Sequence, residues 1–135
     1  MNIDKFKTDH VAILSGIQRL RDLTQLGVAA SDEIATALVK FSTTIRLHLA
    51  AEDKFLYPSL EKSQDPQVVA LSRRFENEMA DIASRFMTFA RNWNLGAKIA
   101  ADFDGFRRAA NLTLKPVWDR MQQENREFYP RIEAS

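Results

Sequence analysis

The chain has 135 residues, of which 45% are hydrophobic, and this length suits one compact domain with its own core. Its 19 Lys and Arg residues nearly balance its 18 Asp and Glu residues, which argues against nucleic acid or an anionic membrane as a partner. The sequence contains no cysteine, which excludes a disulfide framework, a thiolate metal site and a thiol nucleophile.

Four long helices are predicted in chain order, separated by short stretches that contain Gly, Pro, Asn or Ser. They run roughly over residues 4–26, 32–62, 66–93 and 98–132. Pro66 is expected in the first turn of the third helix, where its missing N–H costs nothing. Pro116 lies inside the fourth helix and is expected to kink or split it near residues 112–115.

Each predicted helix has an inward face, on which apolar residues recur at spacings of three and four. These faces consist of Phe6, His10, Ile13, Ile17 and Leu20 in the first helix; Ile34, Leu38, Phe41, Ile45, His48, Glu52 and Phe55 in the second; Val68, Leu71, Phe75, Met79, Ile82, Phe86, Phe89 and Trp93 in the third; and Phe103, Phe106, Ala110, Leu114, Val117, Met121, Glu124 and Phe128 in the fourth. Four such faces joined by short loops predict one all-α domain over residues 1–135, an antiparallel up-down-up-down four-helix bundle.

An internal repeat relates the second helix to the fourth. It pairs His48 with Arg120 and Glu52 with Glu124, and both copies end in Tyr-Pro. A weaker repeat relates the first helix to the third. The two repeats indicate a bundle with approximate two-fold symmetry around a central site.

Four polar residues interrupt the apolar faces, namely His10, His48, Glu52 and Glu124. A carboxylate in a core is costly unless it is paired, protonated or bound to a cation. Inward His and Glu side chains of bundle helices are also the usual ligands of carboxylate metal sites, and His48 and Glu52 lie one turn apart, where they can chelate one ion. The alternative is a satisfied core histidine at each His position and a structural ion pair at each Glu.

The motif Asp9-His10 in the first helix, with His48-x-x-x-Glu52 and a Tyr-Pro pair in the second, resembles the hemerythrin-like, or HHE cation-binding, domains. The resemblance runs the length of the chain and includes the second Tyr-Pro pair after Glu124. It implies a bundle around a non-haem di-iron centre, held by several histidines and by bridging carboxylates, that binds oxygen or related small molecules.

The resemblance places the ligands at His10, His48, Glu52 and Glu124, while the family's third-helix and fourth-helix histidines are replaced here by Met79 and Arg120. With two histidines in the sequence, the full ligand set cannot be assembled. Arg120 is permanently charged and cannot bind a metal, so we interpret it as an internal cation that stands where iron would be and neutralises Glu124. The alternative is an Arg120 that turns to solvent. Met79 is interpreted as an apolar core residue and not as a thioether ligand.

Two functions follow from this altered site. The first is a domain that has lost the full di-iron site, has no metal or other cofactor, and acts as a regulatory module that binds another protein or itself. The alternative is a metal protein that holds one iron, zinc or manganese ion through the four His and Glu residues and senses or carries oxygen, nitric oxide or metal.

Other classes are less well supported by the sequence. An enzyme is not expected, because there is no nucleophile–base pair and no phosphate-binding loop. A membrane partner is not expected either, since the sequence has neither an apolar leader nor an apolar run of membrane-spanning length. The expected location is the cytoplasm.

Overall fold

The structure, a computed structural model, describes residues 2–134 and contains helices but no strand in that part of the chain. The helices are α1 (Asp4–Gln25), α2 (Ser31–Ala51), α3 (Tyr57–Glu61), α4 (Pro66–Asn92), α5 (Gly96–Ala101), α6 (Phe103–Gln123) and α7 (Tyr129–Ala134). A 3₁₀ turn (Val28–Ala30) precedes α2, and π-helical turns (Glu52–Leu56 and Glu124–Phe128) join α2 to α3 and α6 to α7. The predicted all-α fold is confirmed. None of the helices within residues 2–134 has the combination of length and apolarity that a bilayer crossing needs.

The helix boundaries follow from local chemistry. After α1, Gly27 has a φ of 89°, a left-handed conformation that glycine adopts without a steric cost. Asp65 caps α4 by accepting a hydrogen bond from the Gln67 amide at 2.9 Å, and Pro66 occupies the first helical position, as predicted. Gly27 therefore lies at the end of α1, and Asp65 and Pro66 lie at the start of α4, at the places that the sequence indicated.

The split predicted near Pro116 does not occur. Helix α6 is continuous through Pro116, and the interruption lies earlier, at Asp102, whose non-helical backbone separates α5 from α6. Pro116 removes the amide that would bond to the carbonyl of Leu112, but Leu112 lies on the exposed surface, where water can bond to that carbonyl instead. The Asp102 side chain then caps α6 by accepting from the Gly105 amide at 3.0 Å.

The helices pack in a closed arrangement in which α1 contacts α2 and α6, and α4 contacts α3 and α6. Ion pairs join the beginning of one helix to the end of its neighbour, from Lys7 to Glu133 at 3.0 Å and from Arg73 to Glu61 at 2.9 Å. Such contacts are expected between neighbouring helices that run in opposite directions.

The buried core has two apolar parts with a polar layer between them. The smaller part comprises Ile3, Phe6, Leu56, Tyr57, Leu60, Val68, Phe75, Phe128, Tyr129 and Ile132. The larger part includes Ile13, Ile17, Leu20, Leu38, Phe41, Ile45, Met79, Phe86, Phe106, Leu114, Val117 and Met121. The polar layer consists of His10, His48, Glu52, Arg120 and Glu124. Along α1, for example, His10 lies between Phe6 and Ile13, so the layer separates the two parts of the core.

The prediction that Phe55 faces inward is wrong. Phe55 is 57% exposed, and its neighbour Leu56 is fully buried. The reason is the π-helical turn, whose i to i+5 hydrogen bonds lengthen the turn and move the inward position one residue further along the chain. After Glu52, the next inward residue is therefore Leu56.

Candidate metal centre

The polar layer brings together five of the six predicted site residues. Each of the five side chains is at most 2% exposed. His10 comes from α1, His48 from α2 and Arg120 from α6, while Glu52 and Glu124 each begin a π-helical turn. The sixth predicted residue, Met79, is buried in the larger apolar part of the core, where a core residue was expected.

Four of these side chains form a compact group of potential ligands. His10, His48, Glu52 and Glu124 each offer one donor atom, and these four atoms all lie within 4.8 Å of one another. The Nε2 atom of His10 is 3.0 Å from Oε1 of Glu124, and Nε2 of His48 is 3.5 Å from Oε1 of Glu52. Both imidazoles therefore turn Nε2 towards the centre of the group.

The other ring nitrogen of each histidine is held by an oxygen outside the group. Nδ1 of His48 is 3.1 Å from Oδ2 of Asp9, and Nδ1 of His10 is 3.0 Å from Oδ1 of Asn125. Because both partners are acceptors, each Nδ1 donates a hydrogen bond outwards, and each Nε2 is the ring nitrogen that faces the group, the arrangement that outer partners impose on metal-binding histidines. In the sequence Asp9 was marked only as part of a motif and Asn125 was not marked at all, since both contacts join different helices.

Two buried tyrosines adjoin the group and were not predicted as site residues. The Tyr129 hydroxyl is hydrogen-bonded to Nε2 of His10 at 2.8 Å, so an ion bound there would displace this hydrogen bond. Burial raises the pKa of Tyr57 and Tyr129, and the nearby glutamates raise it further, so both hydroxyls stay protonated. The repeated Tyr-Pro pair was the sequence signal that marked these positions.

Arg120 lies inside the core and does not turn to solvent, the alternative orientation considered from the sequence. Its Nε donates to Oε2 of Glu124 at 3.1 Å, and its Nη2 donates to the carbonyl oxygen of Phe75. Its Nη1 is 3.5 Å from Oε2 of Glu78, and the guanidinium carbon lies 4.4 Å from the centroid of the Phe75 ring. The guanidinium is thus held by an anion, a carbonyl and an aromatic face.

Burial sets the protonation of the group in the absence of a cation. It raises the pKa of Glu52 well above the usual range, and the charge of Glu124 raises it further, with Arg120 acting in the opposite direction. Burial lowers the pKa of His48, and the hydrogen bond with Asp9 opposes this effect. Burial therefore favours the protonated form of Glu52 and the neutral form of His48, which is the form of imidazole that binds metals.

The unpaired atoms of the group test whether it fits a metal ion. Within residues 2–134, the buried side-chain atoms without a hydrogen-bond partner include Nε2 of His48, both carboxylate oxygens of Glu52 and Oε1 of Glu124. Each unsatisfied buried polar atom costs about 1–3 kcal/mol, so four of them in one place are unusual in a core. A cation between them would satisfy all four, and the mixed imidazole and carboxylate donors suit iron, zinc or manganese.

Comparison with known proteins agrees with this geometry. The sequence model of the hemerythrin HHE cation binding domain matches residues 1–132, nearly the whole chain, which confirms the resemblance seen in the motifs. Neither a curated protein nor a solved structure matches the chain. The description of the matching domain names cation binding. A cation is also what the unpaired nitrogen and oxygen atoms of this group could bind.

Proposed function

This chain belongs to the hemerythrin HHE cation-binding family, and on that premise we propose that it is a metal-binding domain. The ion would be held by His10, His48, Glu52 and Glu124. The observation that supports this proposal is the group of buried donor atoms within 4.8 Å of one another, most of them without a hydrogen-bond partner. Iron is the ion we propose, with zinc and manganese as alternatives, because the donors combine two imidazoles with two carboxylates.

A bound iron ion would supply a Lewis-acidic and redox-active centre for sensing or carrying a small molecule such as oxygen or nitric oxide. The residues of the chain prepare the site for it. Asp9 and Asn125 orient the two imidazoles, and the apolar parts of the core on either side exclude water. Because burial raises the pKa of Glu52, an ion that binds its carboxylate would compete with a proton, which makes binding proton-linked.

A second candidate function is a metal-free module that regulates or binds another protein. The observation that favours it is the ion pair between Arg120 and Glu124, because Arg120 already neutralises one of the two buried carboxylates. In that case the polar layer is a buried ion-pair network, and the function lies on the protein surface.

Thermal unfolding with and without metal separates the two functions. Protein treated with a chelator is compared with protein given ferrous iron anaerobically or zinc. A ligand that binds only the folded state adds about 2.7 kcal/mol of stability at 100 times its Kd, so a clear rise in Tm is expected. His48→Ala should abolish the rise. If the wild type shows no rise and retains no metal, the metal-free module becomes the better interpretation.

A variant of Asp9, which orients the imidazole of His48 from outside the group, gives a second test of metal binding. Asp9→Ala removes the acceptor that orients His48, and we expect it to weaken metal binding by about 10- to 100-fold in competition with a coloured chelator. Asp22→Ala is the matched control, because Asp22 is an exposed acidic residue of the same helix that is bonded to Gln18. Its metal affinity should equal that of the wild type.

A further inference from the structure

The two carboxylate oxygens of Glu124 have different partners. Oε1 lies 3.0 Å from Nε2 of His10, within the group of metal donors. Oε2 accepts a hydrogen bond at 3.1 Å from Nε of Arg120. A carboxylate that bridges two metal ions gives one oxygen to each of them. In this structure the second oxygen of Glu124 is occupied by a guanidinium.

Arg120 also occupies the position that pairs with His48 in the internal repeat. His48 directs Nε2 towards Glu52, four residues on, and Arg120 directs Nε towards Glu124, also four residues on. One half of the pseudo-symmetric site therefore holds a metal donor, and the other half holds a fixed positive charge that cannot bind a metal. Met79, the repeat counterpart of His10, replaces a second imidazole by a thioether.

Besides Glu124, two further residues, Phe75 and Glu78, contact the guanidinium of Arg120. The carbonyl oxygen and the ring of Phe75 contact it, and Glu78 lies at its outer edge. Arg120 would have to break these contacts and leave the core before a second ion could approach Glu124. A divalent ion close to the guanidinium would also meet electrostatic repulsion in a region of low dielectric.

From these contacts we propose that Arg120 takes the place of a second metal ion, so that the site binds one ion per chain and not a pair. This inference rests on the proposed function and specifies it. Arg120 acts here as a positioning residue: it holds Glu124 with one oxygen directed at the metal donors, and it supplies the charge that a second ion would otherwise bring.

The stoichiometry of metal binding tests this inference in the wild-type protein. Metal-free protein is loaded with excess ferrous iron under anaerobic conditions, or with zinc, then desalted, and the metal per chain is measured by elemental analysis. One ion per chain is expected. Two ions per chain would overturn the inference and leave the proposed function intact, whereas an absence of bound metal would overturn both.

Variants at the second position test the role of Arg120. Met79→His combined with Arg120→His removes the charge and supplies two imidazoles, so two ions per chain are expected. Arg120→Lys keeps the charge and should still bind one. Arg108→His is the matched control, because Arg108 is an exposed arginine of the same helix, and it should also bind one. A folded double variant that binds only one ion would overturn the inference.

Manganese provides a second readout that does not depend on the double variant. An isolated Mn²⁺ ion and a magnetically coupled pair give different electron paramagnetic resonance spectra. Wild-type protein loaded with manganese should show the spectrum of isolated ions. The spectrum of a coupled pair would place a second ion beside Arg120 and overturn the inference even if the double variant does not fold.

Discussion

Arg120 is the most deeply buried lysine or arginine residue in the described part of the chain. It forms an ion pair with Glu124, which is also fully buried. We expect Arg120→Ala to lower the free energy of unfolding by about 3–5 kcal/mol, because Glu124 would remain in the core without a partner of opposite charge. Urea denaturation in the presence of a chelator measures the effect without a contribution from bound metal.

The control for this measurement is Arg108→Ala on the same helix. Arg108 is exposed, and replacement of an exposed side chain usually changes stability by no more than about 0.5 kcal/mol. Equal unfolding free energies for Arg120→Ala and Arg108→Ala would contradict the view that Arg120 stabilises a buried anion.

At the scale of the helical elements, the two π-helical turns begin at the two glutamates of the polar layer. Such turns are rare and frequently occur at functional sites. Here the residues four and five positions after each glutamate are both buried, Leu56 and Tyr57 after the first and Phe128 and Tyr129 after the second, all in the smaller apolar part of the core. The π-helical turns therefore join the polar layer to the apolar residues next to it.

A pair of alanine variants tests the effect of the first turn. Leu56→Ala should lower the free energy of unfolding by about 2–5 kcal/mol, because it leaves a cavity in the core. Phe55→Ala removes an exposed ring that contacts Lys54, and a loss of about 0.5–1 kcal/mol is expected. Chemical denaturation measures the free energies of unfolding of both variants and of the wild type. A larger loss for Phe55→Ala than for Leu56→Ala would mean that Phe55, and not Leu56, lies in the core.

At the scale of the whole molecule, the polar layer interrupts what would otherwise be one continuous apolar core. Replacement of a buried ion-pair network by apolar residues of similar volume is often neutral or stabilising, by about 1–4 kcal/mol. The layer is therefore expected to reduce stability in the absence of metal, as functional sites commonly do.

A multiple variant tests this expectation. It carries His10→Leu, His48→Leu, Glu52→Leu, Arg120→Met, Glu124→Leu and Tyr129→Phe, the last because the hydroxyl of Tyr129 would lose its partner His10. In the presence of a chelator, its free energy of unfolding should equal or exceed that of the wild type, and it should bind no metal. A large loss of stability would show instead that the layer is required for the fold.

Much of the fold could be predicted from the sequence because the signals are local. Apolar spacing, Pro66 and the loop residues located the long helices. Of the residues assigned to the four inward faces, Phe55 is exposed and Leu71, Ile82, Trp93 and Phe103 are partly buried, while the others are buried. His10, His48, Glu52 and Glu124 were identified as buried because they continue the apolar faces of their own helices. The motifs in which they lie also indicated the family, which the match over residues 1–132 confirms.

The tertiary structure decided the features that depend on contacts between helices. Arg120 flanks the inward face of its helix, so its sequence position allowed either orientation, and Glu124, Phe75 and Glu78 hold it inside. The contact of Asp9 with His48 likewise joins two helices. The spacing within one helix determines which of its sides is buried. The partner that a polar side chain meets there depends on how neighbouring helices align, and only the packed bundle determines that alignment.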